Sequence, residues 1–139
     1  MNKNKKIGFT CSCFDLLHAG HILMLKDAKE QCDYLIVGLQ RDPTIDRLKT
    51  KNKPIQSTEE RKIQLEAVKY IDEIIIYSSE KELYKLLKKL NPDIRILGSD
   101  YKGKDFTGKD LKTKIYYHNR SHNYSSSNLR KNLLTIKHK

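Results

Sequence analysis

Five short apolar runs rich in β-branched residues recur at 6–11, 34–39, 73–77, 94–97 and 115–117, with helical patterns between them. The runs are continuous rather than alternating, as expected of strands covered on both faces of a parallel sheet. The first helical pattern extends from about 21 to 30, with Ile22, Leu25 and Ala28 on one face. The second opens at Ser57-Thr58-Glu59-Glu60, a capping-box spacing, and turns Ile63, Ala67 and Val68 inward. The third, 81–90, sets Leu83, Leu86, Leu87 and Leu90 at i, i+3, i+4 and i+7 and stops before Pro92. A last helix is expected over about 126–134.

Such alternation predicts an α/β fold: a single doubly wound Rossmann-like domain over 1–139, with a five-stranded parallel sheet and helices on both faces. Ligands of such sheets bind beyond the carboxyl ends of the strands. That places weight on the loops 10–21, 40–56, 98–112 and 118–127. The second is long and lysine-rich, the kind of loop that serves as a lid or binding segment.

A chain of 139 residues can bury a core without disulfides or metals. Its mean hydropathy of −0.71 comes largely from lysine, and the periodic apolar segments argue against disorder. Runs such as Ile74-Ile75-Ile76 are far too short to span a bilayer, and no signal-type apolar stretch follows the basic residues at 1–6. A cytoplasmic protein with no membrane partner is the expectation. Cys11, Cys13 and Cys32 read as reduced thiols, since Cys11 and Cys13 are too close for a comfortable disulfide. A zinc site from Cys11, Cys13, His18 and His21 would match no standard ligand spacing. The net charge of +11, from 28 Lys+Arg against 17 Asp+Glu, favours polyanionic partners. The basic residues are spread along the chain, and the aromatic residues form no stacking platform, so nucleic acid is not an expected partner.

The stretch Ser12-Cys13-Phe14-Asp15-Leu16-Leu17-His18-Ala19-Gly20-His21 joins the first strand to the first helix. Backbone N–H groups and the helix dipole favour an anion at such a junction, and Gly20 permits close backbone approach. The stretch resembles the GTFDxxHxGH motif of the cytidylyltransferase-like nucleotidyltransferases. That group includes glycerol-3-phosphate cytidylyltransferases, heptose-1-phosphate adenylyltransferases and archaeal-type FAD synthetases. The resemblance extends over about 6–132. It implies nucleotidyl transfer, in which the acceptor's own phosphate oxygen attacks the α-phosphorus and the protein supplies positioning and charge stabilisation.

On this resemblance His18 and His21 donate hydrogen bonds to the phosphates, while Cys13, Phe14, Asp15 and Gly20 form the nucleotide-binding loop. Mg²⁺ is the implied cofactor, held through the phosphates, with Asp15 orienting either the metal or the loop. Arg120 and the serines Ser125, Ser126 and Ser127 resemble the family's RTxGISTT segment, implying contacts to the triphosphate. Lys53-Pro54-Ile55-Gln56-Ser57-Thr58-Glu59-Glu60-Arg61 resembles its (K)P(I/V)xxxxER segment. Lys49 or Lys53 is implied to reach the triphosphate or the acceptor phosphate, and Arg61 either joins them or pairs with a carboxylate. Asp100, in Gly98-Ser99-Asp100-Tyr101, is implied to contact the base or ribose and the acceptor.

Departures from the family pattern are Ser12-Cys13 in place of Gly-Thr, and Ala19 where glycerol-specific members carry tryptophan. The first expectation is CMP transfer from CTP to a small polyol or sugar phosphate, glycerol 3-phosphate foremost. The alternative is an adenylyltransferase using ATP and a heptose 1-phosphate, supported by Ala19, Arg47-Leu48-Lys49 and Gly98-Ser99-Asp100-Tyr101. A non-catalytic nucleotide- or RNA-binding module is the reading from another class. The family resemblance implies a homodimer.

Overall fold

A computed structural model describes residues 5–48, 51–119, 124 and 126–135, the last stretch with the side chain of Ser126 excepted. Five strands, β1 (Ile7–Ser12), β2 (Tyr34–Gln40), β3 (Glu73–Tyr77), β4 (Ile94–Gly98) and β5 (Lys114–His118), form one sheet in the order β3-β2-β1-β4-β5. Every pairing is parallel. The chain winds outward from β1 to β3, then crosses back to β4, so the order reverses between β1 and β4. That is the place where open α/β sheets leave a crevice.

Helices α1 (Ala19–Glu30) and α3 (Thr58–Glu66) cover one face of the sheet and α4 (Glu80–Leu90) the other. Leu25 and Ala28 of α1 and Leu65 of α3 pack on Leu35, Val37, Ile94 and Ile96. Leu83 and Leu87 of α4 pack on Phe9, Ile36 and Tyr77. The leucine spacing of α4 thus marks its buried stripe. Asn91 ends the helix in the left-handed region at φ 44°, directly before Pro92.

Three aspartates fix the strand register at the edge away from the crevice. Asp33 accepts from the N–H of Lys6 at 2.8 Å, Asp93 from that of Ile7 at 2.7 Å, and Asp72 from that of Leu35 at 2.8 Å. Each lies just before a strand and satisfies a backbone donor on its neighbour.

Three features depart from the sequence reading. Helix α1 starts at Ala19 because His18 caps it, two residues ahead of the predicted start. A short helix, α2 (Thr44–Arg47), occupies part of the 40–56 loop; one turn is too short to show a period. In α3, Ile63 is 57% exposed and Ala67 is also exposed; the inward positions are Arg61 and Leu65. The final helix α5 (Ser126–Thr135) leaves Leu129, Leu133 and Leu134 exposed. Among the described residues no helix is long and apolar enough to cross a membrane.

Candidate active site

At the crevice lies a cavity of about 690 Å³, a size suited to a nucleotide with a small acceptor. The N-terminus of α1 forms part of its lining. The N–H of Gly20 donates to Nδ1 of His18 at 3.0 Å, and the N–H of His18 donates to Nδ1 of His21 at 3.2 Å. Two imidazoles thereby play the parts usually taken by Ser/Thr and Glu in a capping box. Because both Nδ1 atoms accept, the neutral rings carry their proton on Nε2, the atom farther from the backbone. The rings stack at 3.9 Å between centroids, and His21 also packs against Phe14 at 5.4 Å. The helix dipole adds a positive end at the same point.

The loop leading in is strained and firmly tied. Phe14 and Leu16 have positive φ, 51° and 52°. Asp15 holds the loop: Oδ1 accepts from the N–H of Gln56 at 2.9 Å, Oδ2 from that of Ile55 at 2.8 Å, and Oδ2 also accepts from Arg130 of α5. The side chain of Gln56 returns the tie, accepting from the N–H of Leu16 at 2.9 Å. With its oxygens so engaged, and only 4% exposed, Asp15 does not fit a magnesium ligand. Its place is to position the loop. Among the described residues no group of three or more His, Cys, Asp or Glu is placed to hold a metal ion.

Arg61 corrects the expectation of a phosphate ligand. It is 1% exposed, and its guanidinium donates to the carbonyls of Gln56, Ser57, Cys13, Gln40 and Arg41. No carboxylate lies within 4 Å of it among the described residues. A guanidinium spent on five carbonyls ties together the β1 loop, the β2 loop and the start of α3, and has no donor left for a ligand. Phe14 is 1% exposed and belongs to the core, so it acts behind His21 rather than on a nucleotide.

Cys13, Gly20, His18, His21 and Asp100 line the cavity. Lys53 and Ser127 are exposed and lie outside its lining. Lys53 stands near Asp42, whose carboxyl is held below the usual range mainly by the hydroxyl and N–H of Thr44, with Lys53 a smaller contributor. Lys49, Arg120 and Ser125 fall outside the described residues, as does the Ser126 side chain. Burial pushes the thiols of Cys11, Cys13 and Cys32 up, which keeps them protonated and poor nucleophiles.

The cavity lining includes residues the sequence reading passed over, Lys51, Gln40, Glu80 and Arg95, together with Arg47, which entered only through its resemblance to the heptose group, and Tyr124. For Arg95 a signal existed. A charged residue inside a strand buried on both faces is out of place unless something in a cavity uses it. Glu80 and Gln40 gave no such sign, since a helix first turn and a strand end commonly carry polar residues.

Gly20 is the tightest backbone position at this centre. A Cβ there would stand 2.8 Å from the Tyr124 carbonyl oxygen and 2.8 Å from Cε1 of His18. Gly20→Ala is therefore expected to destabilise the protein by about 1–3 kcal/mol, although alanine is the better helix former. Thermal melting with activity on the same samples checks both halves of this prediction. An unchanged melting temperature would show that the crowding relaxes freely.

A doubly wound parallel sheet with a histidine-capped helix at its switch point defines the class of α/β fold whose ligands bind beyond the carboxyl ends of the strands. The chain belongs to the cytidylyltransferase-like family, whose model matches residues 9–132. The bifunctional protein HldE of Wolinella succinogenes is 41% identical over 110 residues, 79% of this chain and 23% of that protein. HldE of Campylobacter concisus is 41% identical over 107 residues, 77% of this chain and 22% of its own length. The chain thus spans about a quarter of the length of these curated relatives. Among solved structures, the lipopolysaccharide core biosynthesis protein from Thermoplasma volcanium superposes with a TM-score of 0.66 at 28% identity, covering 80% of this chain and 93% of that one. Pantoate-beta-alanine ligase from Francisella tularensis shares the fold, with a TM-score of 0.63 at 24% identity over 94% of this chain and 67% of that one.

Proposed function

We propose that this chain transfers the nucleotidyl group of ATP to the phosphate of a sugar phosphate of the heptose 1-phosphate kind, releasing pyrophosphate. The observation that carries the proposal is the stacked His18–His21 pair at the N-terminus of α1, its Nδ1 atoms engaged by backbone N–H groups. An oxygen of the acceptor phosphate attacks the α-phosphorus, and the bond to the β-phosphate bridging oxygen breaks. No side-chain nucleophile is needed. The Nε2–H groups and the helix dipole stabilise charge on the α-phosphate and the departing pyrophosphate. Lys51 and Arg47, on the second loop, line the same cavity and suit the remaining phosphate charge. Mg²⁺ carried by the phosphates would neutralise further charge, with no protein carboxylate assigned to it.

CTP with glycerol 3-phosphate, the first expectation from sequence, gives way to ATP with a sugar phosphate. HldE relatives and the lipopolysaccharide core protein support that order, together with Ala19 and Arg47-Leu48 in the sequence. The homodimer belongs to the same proposal, supported by the exposed Leu129, Leu133 and Leu134 of α5. The deciding experiment measures pyrophosphate release for four nucleoside triphosphates against sugar and polyol phosphates. ATP with a heptose 1-phosphate is expected to give the highest kcat/KM. A best rate with CTP and glycerol 3-phosphate would overturn the substrate assignment, and no release with any pair would overturn the reaction.

A further inference from the structure

The cavity lining divides between two places in the fold. Gly98, Asp100 and Tyr101 stand at the end of β4, where the family resemblance implies contacts to base or ribose. On the side of the sheet that α4 covers, the lining is Gln40, Tyr77, Glu80, Arg95, Phe106 and Thr107, and these form a second arm of the site. In-line transfer sets the acceptor opposite the leaving pyrophosphate; with the nucleoside at the end of β4, the second arm is the polar lining left for the acceptor's sugar.

Arg95 forms the buried wall of that arm. It is 3% exposed, its guanidinium lies over the Phe106 ring at 5.1 Å, and Nη1 donates to the Thr107 carbonyl. Nη2 stands 3.9 Å from the Cys11 sulfur. Its buried Nε has no hydrogen-bond partner, and no carboxylate lies within 4 Å of the guanidinium among the described residues. Removing such a cation from water without pairing it costs several kcal/mol, on the order of the penalty for any buried ion. Glu80 shares the arm: Oε1 accepts from the Thr107 hydroxyl at 2.9 Å and Oε2 from Nε2 of Gln40 at 3.1 Å. Thr107 therefore links the two charges, its carbonyl on Arg95 and its hydroxyl on Glu80. The result is a rigid set of opposed donors and acceptors beside an aromatic ring.

We propose that Glu80 and Arg95, joined through Thr107, are specificity-determining residues that read the hydroxyls of the sugar acceptor. A sugar hydroxyl both donates and accepts, so adjacent hydroxyls can donate a hydrogen bond to Glu80 and accept one from Arg95. The ring's apolar face can rest on Phe106. This inference rests on the proposed transfer to a sugar phosphate.

Glu80→Gln keeps the shape and removes the charge; Arg95→Lys keeps the charge and loses the planar fork. With ATP, each is expected to raise KM for a heptose 1-phosphate about tenfold or more, leaving KM for ATP within about twofold. Glycerol 3-phosphate, too short to fill the arm, should show no such rise. A rise in the ATP constant alone, or equal rises for heptose and glycerol acceptors, would overturn the assignment. Calorimetric titration of a heptose 1-phosphate and a hexose 1-phosphate into wild type and both variants tests the arm independently of turnover. If wild type released no pyrophosphate yet bound these sugar phosphates, and the variants bound about tenfold more weakly, the subsite would stand although the reaction failed. Equal binding by wild type and variants, or none by wild type, would overturn the subsite. Should Arg95→Lys fail to fold, Glu80→Gln carries both measurements.

Discussion

Turnover is expected to fall about 10²–10³-fold in His21→Ala, the loss typical of removing one preorganised donor from a developing charge, roughly 2.7–4 kcal/mol. His21 does two things, and they can be separated. Its Nδ1 accepts from the N–H of His18 and helps cap α1, while in the proposed reaction its Nε2–H donates to the substrate phosphates. Loss of the cap alone should cost about 1 kcal/mol of stability. His21→Asn retains an acceptor near the position of Nδ1 and has no distal donor. It is expected to recover most of the melting temperature lost in the alanine variant while remaining as slow. Steady-state kcat from pyrophosphate release, paired with thermal melting, reads the two effects. Near-normal kcat in either variant would remove His21 from the chemistry.

Arg61→Met should produce the largest loss of stability in the molecule, about 3–5 kcal/mol. Buried carbonyls left without donors cost about 1–3 kcal/mol each; of the five held by this guanidinium, that of Ser57 keeps the N–H of Arg61 and the part-buried ones can recruit water, so the loss is that of about two carbonyls. For a chain of this size the melting temperature should drop by about 10–20 °C. Arg61→Lys is expected to recover little, because an ammonium is a point donor and cannot span carbonyls contributed by residues 13, 40, 41, 56 and 57. Differential scanning calorimetry at a single pH compares all three proteins. A fall of only a few degrees would mean that water replaces the guanidinium at those carbonyls.

Arg61 also shows where reading the sequence reaches its limit. The strands were legible because burial on both faces leaves continuous apolar runs, and the Ser57 capping box and the Leu83–Leu87 stripe marked α3 and α4. In α3, however, the apolar period pointed Ile63 inward, whereas the helix turns Arg61 into the protein. Periodicity counts an arginine as a surface residue, and a pattern of single residues cannot register that five carbonyls converge on one point. The same blindness affects Asp15. As a residue type in a phosphate loop it suggested a metal; its role as a tie to 55–56 and Arg130 depends on residues distant in sequence. The centre at His18 and His21 was visible because both histidines, the glycine and the strand–helix junction fall within one short stretch.

Asp15 and Arg130 are 115 positions apart, and they meet beside a loop whose backbone is held at φ 51° and 52°. During synthesis β1 and its loop emerge well before α5. All five strands can therefore pair before this latch on the β1 loop exists. A chain cut before Arg130 is expected to keep the ties from Ile55 and Gln56 but to lose this ionic partner of Asp15, so Phe14 and Leu16 should be held less firmly in their positive-φ conformation. The contact therefore couples the order of the loop beside His18 to a helix far along the chain.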